Sequence, residues 1–351
     1  MNSKTIIIGG GLSGLLIGYR LKQLGVPFIL LEARNRIGGR IYTKLTSNNT
    51  PVEMGATWFG NQHKQLKKLL KELKLDYFEQ FIEGTSFFQP LSTAPSNAIT
   101  LPSQAPSYRI SGGTSAIIKA LKKLVGEENI MLNEAVQHIN FENNTVTTTS
   151  NKKYEAQRVI LALPPKLWST TIHFSPALPK KIKDTALHTH TWMETSIKVS
   201  LTYKAPFWRN NDQSGVLFSN VGPITEFYDH SNADFDKYAL CGFVNAGFSK
   251  LDFTELKELI LAQITSVFGS EAQKYSSYDI VDWNKETYTA TKNQVPLYPH
   301  QNNGNEIYRT TFYDNRLFIS SSEVASAYSG YMEGAVISSN EIIEKIKALI
   351  E

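Results

Sequence analysis

Cysteine is nearly missing from this chain. Cys241 is its one thiol among 351 residues, so no intramolecular disulfide can form, and a reducing compartment is the expectation. Also missing is any apolar window long enough to span a bilayer. The opening run Thr5-Ile6-Ile7-Ile8 is too short for the core of a secretion signal, and glycines follow it. A cytoplasmic protein without a membrane anchor is therefore expected. Charge of one sign is lacking too: 36 Lys and Arg against 32 Asp and Glu leave a net +4, with no dense basic block and no basic-aromatic platform, so nucleic acid is not an expected partner. The richest basic stretch, 64–74, reads as an amphipathic helix with Leu66, Leu69, Leu70 and Leu73 on its inner face. There is no G-x-S-x-G nucleophile elbow. The seven histidines are scattered. His188 and His190 could share a strand face, but no Cys or carboxylate cluster completes a metal set, and no metal is expected.

What is present is an ordinary globular balance, 41% hydrophobic and 19% charged, on a chain long enough for about two domains. The N-terminal segment is a strand, a glycine turn and a helix, followed by a second apolar strand, Phe28-Ile29-Leu30-Leu31, that ends at Glu32. This is a βαβ unit. Residues 90–107 are rich in Pro and Ser and read as a loop or crossover. Residues 116–124 read as a helix, and short strands follow over 136–141, 145–149 and near Tyr154. A further apolar strand begins at Arg158 and stops before Pro164-Pro165. From Thr195 to Tyr203 polar and apolar residues alternate, as in a half-buried strand. More strand-like runs lie near Val216, 225–228 and 238–244, before a helix over 256–267, a last strand over 317–320 and a long helix over 333–350. The pattern is α/β at both ends and β-rich between them, so the two ends should meet in one domain.

Gly9-Gly10-Gly11-Leu12-Ser13-Gly14 is a G-x-G-x-x-G loop between strand and helix. Gly9, Gly11 and Gly14 permit the tight turn and let the backbone approach a pyrophosphate, whose charge is favoured at a helix N-terminus. Glu32 stands where an acid would hydrogen-bond a ribose hydroxyl. Immediately after it, Ala33-Arg34-Asn35-Arg36-Ile37-Gly38-Gly39-Arg40 supplies a second close turn with cations beside it, suited to a further contact with the same diphosphate.

Five motifs in this order, GGGLSGL at 9–15, LEARNRIGGR at 31–40, EMGATWFG at 53–60, RVILALPP at 158–165 and YSGYMEGAV at 328–336, resemble the flavin-dependent amine oxidase family, which includes monoamine oxidases, polyamine oxidases and flavin-type histone demethylases. The stretch TSIKVSLTYKAPFW at 195–208 looks most like the monoamine oxidase branch. The resemblance implies a Rossmann-like FAD-binding domain of the glutathione reductase type, drawn from 1–80, 107–187 and 286–351. It also implies a β-rich α+β substrate domain drawn from 81–106 and 188–285. Gly9, Gly11, Leu12, Ser13, Gly14, Glu32 and Ala33 would hold the ADP half of FAD, with Arg34, Gly39 and Arg40 at the diphosphate and the Val136 backbone at the adenine. Met54, Gly55, Ala56, Thr57, Trp283, Glu323 and Met332 would surround the rest of the cofactor. Lys198 matches the family lysine that holds a water near flavin N5, although its alternating strand alone would make it a solvated lysine. Tyr331 matches one wall of an aromatic cage.

The sequence also departs from the family. The cysteine that links flavin covalently in monoamine oxidases is replaced near Lys292, so FAD is expected to be non-covalent. The second cage tyrosine falls near Asn293, leaving Tyr288, Tyr298 or Tyr328 as substitutes. The segment between Phe81 and Arg109 is far shorter than in those enzymes, so the chamber is open, roofed by a partner, or roofed by Phe87, Phe88 and the Pro-rich loop. A hydrophobic anchoring tail like that of those enzymes is not expected here. The expected activity is oxidation of a small amine to an imine, with dioxygen the expected acceptor and hydrogen peroxide the product. A flavin-dependent desaturase or dehydrogenase of a non-amine substrate stays open as an alternative, as does a flavin-binding interaction module.

Overall fold

A computed structural model describes residues 5–291 and 297–351; Lys292 and Asn293, the positions near which the family's flavin-linking cysteine and second cage tyrosine fall, lie outside them. The core is a five-stranded, all-parallel sheet in the order Ile130–Met131, Phe28–Leu31, Thr5–Ile8, Arg158–Leu161, Leu317–Ile319. The strands are unbroken apolar runs because both faces are covered. Ile7, Leu30, Ile160 and Phe318 point to the helices Leu12–Gln23, Ser115–Val125 and Met332–Ile350. Ile6, Ile8, Ile29, Leu31, Val159 and Leu161 point the other way, toward the helices Pro165–Thr171 and Lys180–Leu187 and a four-stranded sheet built on Val136–Asn140. The ends of the chain do meet. The last helix packs on the first, so closely that the Ser339 hydroxyl donates to the Ser13 carbonyl at 3.2 Å.

The middle of the chain forms a seven-stranded sheet in the order Ser277–Asp282, Ile197–Tyr203, Tyr238–Val244, Ile224–Asp229, Gln213–Ser219, Thr85–Gln89, Asn97–Ile99. Two readings change here. The Pro-rich stretch is not all loop: Asn97–Ile99 pairs antiparallel with Thr85–Gln89 and extends the sheet edge. Nor is Ile197–Tyr203 half-buried, because every residue in it is buried. Its apolar face, Ile197, Val199 and Leu201, packs on Leu256, Ile260 and Ile264 of the helix Phe253–Phe268. Its polar face, Lys198, Ser200 and Thr202, is covered by other parts of the chain instead of by water; the Ser200 hydroxyl lies 3.5 Å from Met54 Sδ. Alternation reports which residues share a face, not whether water or protein covers it.

Candidate active site

The glycine turn at the end of Thr5–Ile8 leads into the helix Leu12–Gln23, whose first turn has no side-chain cap and no acidic residue. Its unpaired N–H groups leave a partial positive charge facing a cavity of about 310 Å³. Two glycines of the turn differ in what they permit. A Cβ on Gly14 would lie 1.9 Å from the Gly9 carbonyl oxygen, so close packing of helix on strand demands glycine there. A Cβ on Gly11 would meet nothing within 4 Å, because Gly11 borders the open cavity. The second glycine turn is laced to the first by Gly38 N–H donating to the Gly10 carbonyl at 2.8 Å. The buried Glu32 carboxylate accepts from Gly10 N–H at 2.7 Å and Arg34 N–H at 2.9 Å, fixing both turns while it lines the cavity.

Gly9, Leu12, Ser13, Ala33, Gly39, Ala56, Val136, Tyr331 and Met332 line the same cavity, as do Arg34 and Arg40. Neither arginine is a loose surface cation. Arg40 is clamped by Glu323, by the Ser322 hydroxyl at 3.0 Å and by the Trp192 carbonyl at 3.0 Å. Burial pushes the Glu323 carboxyl up, but the Arg40 guanidinium overrides this and holds it below the usual carboxylate range. Arg34 reaches Glu286 at 3.3 Å and the Thr289 hydroxyl at 2.8 Å.

A second, larger chamber of about 980 Å³ adjoins the first. The two share Ala56, Trp192, Met193, Gly330, Tyr331 and Met332. The uncapped N-terminus of the helix Met332–Ile350 therefore lies at their junction. Its first-turn acid, Glu333, is turned away and accepts from the N–H groups of Gln65 and Leu66, holding the start of the helix Lys64–Glu72.

Gly55 and Thr57 line the second chamber, whereas Gly14, Met54, Lys198, Trp283 and Glu323 line neither. Lys198 and Trp283 act on the wall from behind. The Lys198 ammonium donates to the Gly55 carbonyl at 2.9 Å and the Thr57 hydroxyl at 2.7 Å, and the Trp283 indole N–H donates to the Met54 carbonyl at 2.7 Å. Lys198 lies 5.3 Å from the Trp58 ring centre and 5.1 Å from that of Phe243. Burial lowers its pKa, and the nearby Glu53 and Cys241 raise it by less.

None of the substitute cage tyrosines faces the larger chamber. Tyr288 lines the first cavity with the Arg34 guanidinium 5.6 Å over its ring, Tyr298 is 81% exposed, and Tyr328 packs edge-on against His63 at 5.1 Å. Trp192 is an aromatic that the sequence reading missed. It lies opposite Tyr331 in a ladder of near-parallel rings, with His300 between them: Trp192 to His300 is 5.5 Å at 20°, and His300 to Tyr331 is 6.1 Å at 18°. The next residue, Met193, holds a left-handed backbone at φ 79°, rare for a side chain of its size. Arg40 fixes the segment on one side and the buried ion pair Lys166–Glu194, 3.0 Å, on the other. The chamber's outer lining includes Leu101, Pro102, Ala105 and Pro106 from the Pro-rich loop. Phe87 and Phe88 do not contribute, since Phe87 packs edge-on against Phe268 under the sheet. Among the described residues there is no cluster of potential metal ligands, and no helix is long and apolar enough to cross a membrane.

A glycine-cradled cavity beside a helix N-terminus on a parallel sheet, opening on a separate chamber, is the arrangement of a dinucleotide-binding fold. The model of the family described as flavin containing amine oxidoreductase matches residues 12–91 and 76–341. The chain belongs to that family. It is 26% identical to the pig (Sus scrofa) amine oxidase [flavin-containing] B, over 96% of this chain and 85% of that protein. It is 24% identical to the probable flavin-containing monoamine oxidase A of Dictyostelium discoideum, over 98% of this chain and 97% of that one. Among solved structures, putrescine oxidase bound to putrescine superposes with a TM-score of 0.85 at 22% identity, covering 99% of each chain. Cyclohexylamine oxidase from Brevibacterium oxydans IH-35A gives 0.85 at 17% identity over 100% of each.

Proposed function

We propose that this enzyme binds FAD without a covalent link and oxidises an amine to an imine, which water then hydrolyses, with dioxygen as the electron acceptor and hydrogen peroxide as the second product. The observation that carries the reading is the junction of the two chambers at Tyr331 and Met332. The first cavity suits a dinucleotide: the space beside Gly11 is open where a side chain would otherwise project, and an uncapped helix end and two arginines border it. The backbone around Glu32 and Val136 would take the ADP half, and Arg34 and Arg40 the diphosphate side. A bound flavin would supply the acceptor for the hydride equivalent, two electrons with one proton, lost from the amine α-carbon. The chain's own part is placement. Tyr331 and Trp192, stacked through His300, would form one wall beside the substrate at the junction, and the N-terminus of Met332–Ile350 favours negative charge there. Lys198 holds Gly55 and Thr57 in place and keeps a proton donor within reach of the wall. A non-covalent cofactor is supported by Cys241, which is fully buried on a central strand and lines neither chamber. Residues 1–80, 107–187 and 286–351 would form the cofactor domain, and 81–106 and 188–285 the substrate domain.

The reading is tested by denaturing purified protein, identifying the released flavin, and measuring peroxide formed per amine consumed. FAD freed by acid and one peroxide per amine are expected. Lys198→Met should retain flavin and slow the reductive or oxidative half-reaction; unchanged rates in both would remove Lys198 from the chemistry.

A further inference from the structure

Tyr331 and Trp192 border both chambers, yet little in the protein fixes the planes of their rings. Among the described residues no hydrogen bond holds the Tyr331 hydroxyl or the Trp192 indole N–H. The two side chains are 44% and 43% exposed, so no core encloses them. Tyr331 meets the buried His63 obliquely, at 5.6 Å and 50°, and Trp192 meets His190 edge-on, at 5.8 Å and 73°. Neither contact lays one ring flat on another. Among the described residues only His300 does so, and it does so to both: its imidazole lies within 20° of the Trp192 plane and 18° of the Tyr331 plane. Offset stacking at such spacings is a preferred arrangement of aromatic pairs. His300 itself lines neither chamber and is exposed, so it reaches the site only through these two neighbours.

The backbone holds His300 to this task. His190 N–H donates to the Gln301 carbonyl at 3.0 Å, and the Asn302 side-chain amide donates to the His188 carbonyl at 2.9 Å. The loop that carries His300 is thereby laced to the segment that carries Trp192. Gly304 N–H donates to the Glu323 carbonyl at 2.7 Å, the Glu323 carboxylate clamps Arg40, and Arg40 holds the Trp192 carbonyl. The circuit closes on itself. Three of its non-glycine residues have left-handed backbone: Met193 at φ 79°, His300 at 61° and Asn302 at 57°. Residues in sparsely populated conformations persist where the surroundings over-determine them, and they cluster at functional sites.

We infer that His300 is a positioning residue for the reaction: its ring, flat between Trp192 and Tyr331, sets the plane of both at the junction, so that an exposed side chain outside both chambers governs how the amine is presented to the cofactor. The inference rests on the amine-oxidation reading and deepens it.

The test compares the wild type with His300→Ala, His300→Leu and His300→Phe. His300 is exposed, so all three variants should fold and retain flavin. In the flavin-loaded protein, with saturating butylamine or benzylamine and no oxygen, flavin reduction should slow about tenfold or more in His300→Ala and His300→Leu, since a misplacement of ~1 Å can cost roughly a hundredfold. His300→Phe, which keeps a flat ring, should return close to the wild-type rate. Reoxidation by air of flavin reduced with dithionite should be the same in all four proteins, which separates positioning from general damage. A second readout needs neither flavin nor turnover. In the flavin-free protein, the drops in melting temperature caused by His300→Ala and by Trp192→Ala should sum to more than the drop in the double variant, because each change alone breaks the same stack. A His300→Phe rate no better than that of His300→Leu, reduction unchanged in all three variants, equal slowing of reduction and reoxidation, or additive drops in melting temperature would each overturn the inference and leave amine oxidation standing. Failure of every amine to reduce the wild-type flavin would overturn the amine-oxidation reading, and the inference with it.

Discussion

Gly11 and Gly14 belong to one motif, and sequence alone gives them one role. The structure separates them. Gly14 is required by the protein itself, since a Cβ there would sit 1.9 Å from a carbonyl oxygen, while Gly11 has room for a methyl group that would intrude on the cavity. Gly14→Ala is therefore expected to yield an unstable protein. Gly11→Ala should melt like the wild type without flavin but bind FAD about tenfold or more weaker, the cost of losing one strong hydrogen bond to a charged group. Equal loss of stability in both variants would contradict this division. Single residues were legible where a motif fixes their geometry, as at Glu32 and the glycines. Trp192 was not, because nothing in its local sequence marks it. Its place opposite Tyr331 depends on His300, more than a hundred residues away, and on Arg40 gripping its carbonyl.

At the scale of elements, the pieces around the cofactor cavity are joined by buried charge. Arg40, just after the second glycine turn, is locked to Glu323 in the short helix Ser322–Val324, which precedes the long final helix. The Glu323 carboxyl is held below the usual value of 4.5 by Arg40 against the cost of burial. A carboxyl whose pKa is depressed by folding adds stability that is present above the unfolded pKa and is lost as pH falls through the folded one. The wild type should thus lose melting temperature as pH drops below 4.5, and Glu323→Gln should remove this component of the acid limb. At neutral pH that variant should be destabilised by roughly 3–5 kcal/mol, as when one partner of a buried pair is removed. Melting curves across pH that coincide for the two proteins would argue against the clamp. The strands and helices themselves were largely legible, since periodicity and proline positions mark them. The strand Ile197–Tyr203 was misjudged because its polar side, which looks solvent-facing, is roofed by residues far away in sequence, among them Met54. The edge strand Asn97–Ile99 was missed because Pro and Ser around it hide a short pairing segment.

For the molecule as a whole, the chain leaves a parallel sheet, builds a second sheet and returns to finish the first, so that strands remote in sequence lie side by side. This was foreseeable from an α/β pattern at both ends. The division of labour between two chambers was not, because cavity walls are assembled from the ends of many elements, and only the fold shows that Tyr331 and Met332 border both. The proposed reaction sends electrons from an amine in the larger chamber across that junction to a flavin in the smaller one. Its most direct test is the visible spectrum of the flavin-loaded protein, recorded without oxygen before and after addition of amines. The flavin bands should bleach with an aliphatic amine and return when air is admitted. A yellow protein that no amine bleaches would contradict that reaction.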